Sequence, residues 1–311
     1  MKLLIVGGTS FAGRAIAWSA WHRGHDVSVF NRGQTPNDLP DAITRLVGDR
    51  DSDLSALADL SFDATIDVTA YRPSDVEHLA DALGTRGGHY IQISSISAYR
   101  NPNHPGAVES ELELDTSDED SYGPMKAASE RAGAHFFGAG ATMIRPTFIV
   151  GAHDVTLRFP YWVERVRRGG DVVVPGPAEG RLQWIDARDL ANFTLRVAED
   201  GAIGAFHTAG PSSAQGFFQT IEEIAAQIAP PGTSVRLVDA ERVSEAGLER
   251  QFPLWSPEVE YLAALDSSLA QRHGLDFRSL AESVDDVVEW WGDRVWPEKW
   301  LSAEDEARLL S

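Results

Sequence analysis

The stretch Lys2-Leu3-Leu4-Ile5-Val6-Gly7-Gly8-Thr9-Ser10-Phe11-Ala12-Gly13 sets the fold. A short apolar run of strand length passes into a glycine-bearing turn, and an amphipathic segment follows from Arg14 to His22. The order is therefore strand, tight turn, helix. Glycines at such a turn let the backbone approach a pyrophosphate, and the next helix N-terminus offers free N–H groups and the positive end of its dipole. A second strand, Asp26-Val27-Ser28-Val29-Phe30, closes a βαβ unit of about 30 residues. Gly7, Ser10 and Gly13 hold the three positions of the Gly-x-x-Gly-x-x-Gly spacing, with a serine where the middle glycine is usual.

Further strands are expected at 42–47, 63–68, 89–94, 141–145 and 205–208, with helical patterns at 54–60 and 73–83 between them. Alternating β and α over the first 150 residues predicts an α/β, Rossmann-like doubly wound parallel sheet. The expected organisation is a dinucleotide-binding domain at 1–150, with a returning segment at about 182–210, and a smaller mixed substrate lobe over most of 151–311.

Where an NAD-binding unit ends its second strand in an acidic residue that bonds the ribose 2′-OH, this chain has Asn31 followed by Arg32. An amide and a guanidinium tolerate or attract a 2′-phosphate, so NADP(H) is preferred and NAD(H) is possible; a solvated loop arginine is the alternative for Arg32. Asp49 and Arg50, in Gly48-Asp49-Arg50-Asp51, stand where an acidic side chain reaches the adenine amino group, or where a plain solvated turn would lie. Thr69, Ala70 and Tyr71 follow the fourth strand and face the cofactor's ribose region.

Tyr122 and Lys126 stand one helical turn apart in Ser121-Tyr122-Gly123-Pro124-Met125-Lys126, in a chain with only three lysines, Lys2, Lys126 and Lys299. Side chains on one face would let an ammonium stabilise a phenolate, which makes a general acid/base from tyrosine near neutral pH. Serines end the fifth strand, and 101–120 reads as a polar, acidic active-site loop leading into the Tyr122 helix.

Beyond Gly151 the alternation lapses. Arg158, Trp162, Arg181 and Trp184 belong to a run of aromatics and arginines that lines a pocket for an anionic or ring-shaped substrate, or else seals two lobes. The C-terminal tryptophans Trp290, Trp291, Trp296 and Trp300 read as lobe packing or an oligomer contact. His22 and His25 have no partner pattern for a metal, and none is expected.

The chain carries 47 acidic and 27 basic side chains, a net charge of −20, and no cysteine. That charge repels nucleic acid and anionic membranes, so neither is an expected partner. No apolar run reaches membrane-span length and the N-terminus lacks a signal peptide's layout, which points to a cytoplasmic protein, monomer or homodimer, acting on a small molecule.

Together, Gly7-Gly8-Thr9-Ser10-Phe11-Ala12-Gly13, Ser94-Ser95-Ile96-Ser97-Ala98-Tyr99, Tyr122-Gly123-Pro124-Met125-Lys126, Ile144-Arg145-Pro146-Thr147 and Gln183-Trp184-Ile185-Asp186-Ala187-Arg188-Asp189-Leu190 resemble the extended short-chain dehydrogenase/reductase superfamily, specifically its NAD-dependent epimerase/dehydratase family. The Gly-Gly-Thr-x-Phe turn and Asn31-Arg32-Gly33 are similar to a divergent branch that includes plastid stem-loop RNA-binding relatives. The resemblance implies that Tyr122 is the proton donor/acceptor, that Lys126 lowers its pKa and bonds the nicotinamide ribose, and that Ser95 polarises the substrate oxygen. It puts Gly7, Thr9, Ser10, Phe11, Ala12 and Gly13 at the diphosphate turn. An NAD(P)-dependent oxidoreductase or epimerase acting on a secondary alcohol or ketone, sugar-like among other choices, is the implied function. The alternative is a catalytically silent cofactor-binding protein serving as a binding or RNA-associated module. Dehydration ranks lower, because Ser95-Ile96-Ser97 offers no extra acid and base.

Overall fold

The computed structural model describes residues 1–100, 104–117, 120–255, 264–297 and 299–311. In chain order, β1 (Lys2–Val6), α1 (Phe11–His22), β2 (Asp26–Asn31), β3 (Thr44–Val47), β4 (Ala64–Asp67), α2 (Pro73–Leu83), β5 (His89–Ile93), α3 (Tyr122–Phe136) and β6 (Thr142–Pro146) form the first half. Then come β7 (Phe148–Val150), α4 (Arg158–Arg168), β8 (Asp171–Pro175), β9 (Arg181–Asp186), α5 (Ala187–Asp200) and β10 (Gly204–Thr208). The chain ends with β11 (Gly210–Gly216), α6 (Phe217–Ile228), β12 (Ser234–Val238), α7 (Ala240–Glu245), α8 (Ser268–Arg272), α9 (Leu280–Trp291) and α10 (Ala303–Leu310).

Seven strands make one parallel sheet in the order β10-β6-β5-β4-β1-β2-β3. Its central strands are apolar runs because both faces are covered. Along β1, Leu3 and Ile5 join a core with α1 and α5, while Leu4 and Val6 join one with α2, as successive strand residues must. Helix α1 packs against α5 and α2 against α3, which gives the three layers. The strand order reverses between β1 and β4, and the crevice at their carboxyl ends is where a doubly wound sheet takes a ligand. Helix α2 starts sharply there, since Pro73 opens it and the Asp75 carboxylate accepts the backbone N–H groups of Tyr71 and Arg72 at 2.8 and 2.9 Å.

The helix expected at 54–60 is instead a single 3-10 turn, Ser55–Leu57. Asp53 caps the turn through the Ser55 N–H, and the Arg86 guanidinium takes the carbonyls of Leu57 and Leu60 that a longer helix would have used. So short a stretch cannot offset the cost of nucleating a helix without such bonds.

The second lobe gathers β8 and β12, a parallel pair, with α4, α6, α9 and α10 around a core containing Trp162, Val172, Val174, Ile221 and Val287. Between the lobes runs a small sheet, β11-β9-β7. The chain returns to the large sheet through α5 and β10, and again at α8 and Leu275, which pack into the core under α1. No helix among the described residues is long and apolar enough to cross a membrane.

Candidate active site

A cavity of about 630 Å³ opens at the strand-order reversal. Its walls include Gly7, Thr9, Ser10, Asn31, Arg32, Asp49, Arg50, Thr69 and Tyr71, all expected from the sequence, and also Gln34, Thr35, Arg72, Asp75 and Met125, which were not. Gly7 has φ +88°, and a Cβ at Gly13 would run into the Gly7 carbonyl oxygen, so the turn and the helix close on each other only as glycines. Ser10 sits at the N-cap of α1 but its side chain makes no capping bond, leaving the hydroxyl and the first-turn amides to a ligand. Phe11 instead faces a neighbouring cleft with Arg14 and Asp38, while Ala12 and Gly13 are buried in the turn and off the cavity wall.

Other expected cofactor contacts are engaged elsewhere. The Asn31 amide oxygen accepts the Gly33 N–H at 2.7 Å, shaping the turn that leaves Arg32 exposed at the cleft mouth. Asp49 accepts the Asp51 N–H. The Arg50 terminal nitrogens bond the buried Asp67 carboxylate at 3.1 and 2.9 Å, the Thr69 hydroxyl at 2.8 Å and the Asp75 carbonyl at 2.6 Å. Arg50 therefore braces the cleft wall; only its Nε, buried without a hydrogen-bond partner, is left over. Ala70 contributes a carbonyl that accepts from Lys126 rather than a side chain to the cleft. The glycine cradle, the free amides and the cavity size fit a dinucleotide.

A second cavity of about 670 Å³ adjoins the first at Tyr71, which lines both. β5 delivers Ser94 and Ser95 to it. Ser95 caps the short turn Ile96–Ala98 by accepting the Ser97 N–H at 3.1 Å, and the buried Ser94 hydroxyl has no partner. Gly123 lets α3 dock on this turn, since a Cβ there would meet the Ser97 carbonyl. Tyr122, the first residue of α3, is thereby brought to the same cavity wall as Ser95.

Tyr122 and Lys126 both lie in α3 but in different surroundings, one half exposed and the other buried. Desolvation raises the Tyr122 phenol above its ordinary 10.0, Tyr71 adds to this, and the Ser95 hydroxyl and the Arg158 charge oppose it. Lys126 is 2% exposed and donates to the carbonyls of Ala70 and Ile93 at 2.8 and 3.0 Å, with the Tyr71 ring 4.5 Å from its ammonium. Burial lowers its pKa from 10.5 to about 8, against the opposing pull of Asp67 and Glu130.

Of the four expected substrate residues, Arg158 alone faces this cavity. Trp162 is fully buried, its indole N–H bonded to the Pro253 carbonyl at 2.8 Å, so it is a core residue and not a pocket wall. Trp184 packs into the same core. Arg181 lies on a separate cavity of about 620 Å³ with Glu179, Gln219 and Asp266. In their place this second cavity has Phe148, Gln183 and Trp300; Trp300 reaches it from the C-terminal segment, its indole N–H donating to the Leu157 carbonyl at 3.1 Å. Among the described residues no group of His, Asp and Glu side chains is arranged to hold a metal ion.

A nucleotide-binding doubly wound sheet that carries a tyrosine and a lysine on one helix beside a serine-ended strand defines a short-chain dehydrogenase/reductase class of protein. Residues 3–207 match the NAD dependent epimerase/dehydratase family, and the chain belongs to it. It is 28% identical over 63% of its length to the chloroplast stem-loop binding protein of 41 kDa b from Arabidopsis thaliana, covering 54% of that protein. It is 27% identical over 62% of its length to a 2-alkyl-3-oxoalkanoate reductase from Stenotrophomonas maltophilia, covering 64% of it. The chain thus spans between half and two thirds of the length of these relatives. The UDP-N-acetylglucosamine 4-epimerase of Bacillus cereus shares the fold, with a TM-score of 0.72 at 18% identity over 96% of this chain and 99% of that one.

Proposed function

We propose that the chain is an NAD(P)-dependent oxidoreductase or epimerase acting on a secondary alcohol or ketone, with Tyr122 as proton donor and acceptor and Ser95 hydrogen-bonding the substrate oxygen. The observation that carries this reading is that Ser95 and Tyr122 line one cavity, which meets the glycine-turn cleft at Tyr71. Gly7, Thr9, Ser10 and the α1 amides would hold the diphosphate, with Thr69 and Tyr71 beside the nicotinamide half. A nicotinamide cofactor, when bound, supplies the hydride. Tyr122 keeps its proton at neutral pH because its phenol titrates above 10.0, so the resting site is set to donate to a carbonyl oxygen. Lys126, titrating near 8, holds the carbonyls of Ala70 and Ile93 and would meet the ribose of a bound nicotinamide. Asn31 in place of an acid, and Arg32 exposed at the cleft mouth, support NADP(H) over NAD(H). The name of the Stenotrophomonas relative supports reduction, and that of the Bacillus structure supports a sugar-like substrate. The proposed setting is the cytoplasm, as a monomer or homodimer.

The Arabidopsis relative's name favours a second reading, an RNA-associated module. A net charge of −20 opposes it. Titration with NADPH and NADH by fluorescence, beside an RNA gel shift at physiological salt, separates the two. The enzyme reading expects saturable nicotinamide binding, tighter for NADPH, and reductant consumption with a ketone panel that drops at least about tenfold in Ser95→Ala. Saturable RNA binding with no nicotinamide response would sink it.

A further inference from the structure

Among the described residues, the wall of this cavity carries one charged side chain, Arg158, and no acidic one. This is out of keeping with the rest of the chain. Acidic side chains outnumber basic ones 47 to 27, and four arginines drawn inside are paired with carboxylates, Arg50 with Asp67, Arg145 with Glu130, Arg165 with Glu306 and Arg278 with Asp189, while Arg86 is spent on backbone carbonyls. Among the described residues no carboxylate lies within ion-pair distance of Arg158. The nearby Asp154 is fully buried, but its oxygens accept the backbone N–H groups of Thr156 and Arg158 and the Thr156 hydroxyl. Thr156 in turn accepts from the Arg158 Nε at 3.0 Å, and the guanidinium sits 5.4 Å from the Phe148 ring. Held at Nε and by stacking, Arg158 keeps its two terminal nitrogens for a ligand, the edge that matches the paired oxygens of a carboxylate.

Charge balance narrows the ligand. One guanidinium with no other charge on the walls neutralises one negative charge; a nucleoside diphosphate brings two and would leave the second desolvated without a partner. The same wall offers apolar surface from Phe148, Ile149 and Trp300 beside polar Thr147, Thr156 and Gln183. Arg158 and Tyr122 line the same cavity, so a ligand anion held by the one shares the space with the other.

We propose that Arg158 is the specificity-determining residue of this cavity and that the substrate is a monoanion, an oxo or hydroxy carboxylic acid whose carboxylate takes the two terminal guanidinium nitrogens while its hydrocarbon part lies against Phe148, Ile149 and Trp300. The inference rests on the enzyme reading above and is tested apart from it, by binding. Calorimetry on the full chain with NADPH present compares 3-hydroxyoctanoate with its neutral amide and with UDP-glucose. The acid is expected to bind about tenfold to a hundredfold tighter than the amide, the scale of one charge-assisted pair. That preference should fall below about threefold in Arg158→Gln and survive in part in Arg158→Lys, with circular dichroism melts reporting that the variants are folded. Equal binding of acid and amide, no binding of either, a preference unchanged in Arg158→Gln, or tighter binding of UDP-glucose overturns the proposal. Acid binding that depends on Arg158, without any ketone reduction, upholds it while the oxidoreductase reading falls.

Discussion

The Tyr71 ring stands 4.5 Å from the Lys126 ammonium and 6.3 Å, centre to centre, from the Tyr122 ring. Tyr71 thus occupies the ground between the two residues that the helix spacing puts on one face, and it forms the shared wall of the cofactor and catalytic cavities. The lysine it covers is desolvated and held by the carbonyls of Ala70 and Ile93.

Replacing Tyr71 with Ala should raise the Lys126 titration from about 8 toward the ordinary 10.5, because desolvation is the largest influence on it and outweighs a cation–π contact of about 0.5–2 kcal/mol. With three lysines in the chain, ε-labelled lysine NMR resolves the titration directly. An unchanged midpoint would mean that the ring does not shield the ammonium.

Lys126 also sets a pH dependence of stability. Its folded pKa is depressed, so the charged lysine destabilises the fold below about pH 8, and that cost is relieved as pH rises from about 8 toward 10.5, where the unfolded chain binds more protons. Denaturant unfolding of wild type against Lys126→Met should show the wild type gaining roughly 2 kcal/mol on the variant between pH 7 and pH 10. A gap that is flat with pH contradicts the shift.

Asp67 is fully buried and holds Arg50 through two hydrogen bonds. Arg50→Met leaves that carboxylate unpaired and should cost about 3–5 kcal/mol of stability, read from denaturant midpoints. Adding Asp67→Asn should return part of the loss; a single variant as stable as wild type would show that the pair is not needed.

Gly123→Ala puts a methyl group against the Ser97 carbonyl and pushes the start of α3 off the serine turn. Turnover should fall by about tenfold or more, with NADPH affinity nearly unchanged, since a small displacement of the acid/base is enough to lose alignment. Kinetics and a fluorescence titration on the same preparation check both halves.

Much of the fold was legible because β1, β4 and β6 are buried on both faces and read as apolar runs, and because the Gly7–Gly13 turn has one good backbone solution. The substrate wall was less legible. Trp162 and Arg158 lie four residues apart in α4 and share a face, yet one is core and the other, at the first residue of the helix, faces the cavity; spacing gives the face but not how deeply each turn is buried. Trp300 arrives from a tail far along the chain, and Tyr71 covers Lys126 through a loop packing that no local spacing records. Met125 carried a signal that was missed: it sits one residue before Lys126 in a segment already assigned to the site.

The most direct test of the central claim is the turnover of Tyr122→Phe, measured with its NADPH affinity on the same sample. The account predicts loss of carbonyl reduction by about a hundredfold or more, with cofactor affinity within about twofold of wild type, because only the transferable proton is removed. Activity comparable to wild type in that variant would contradict it.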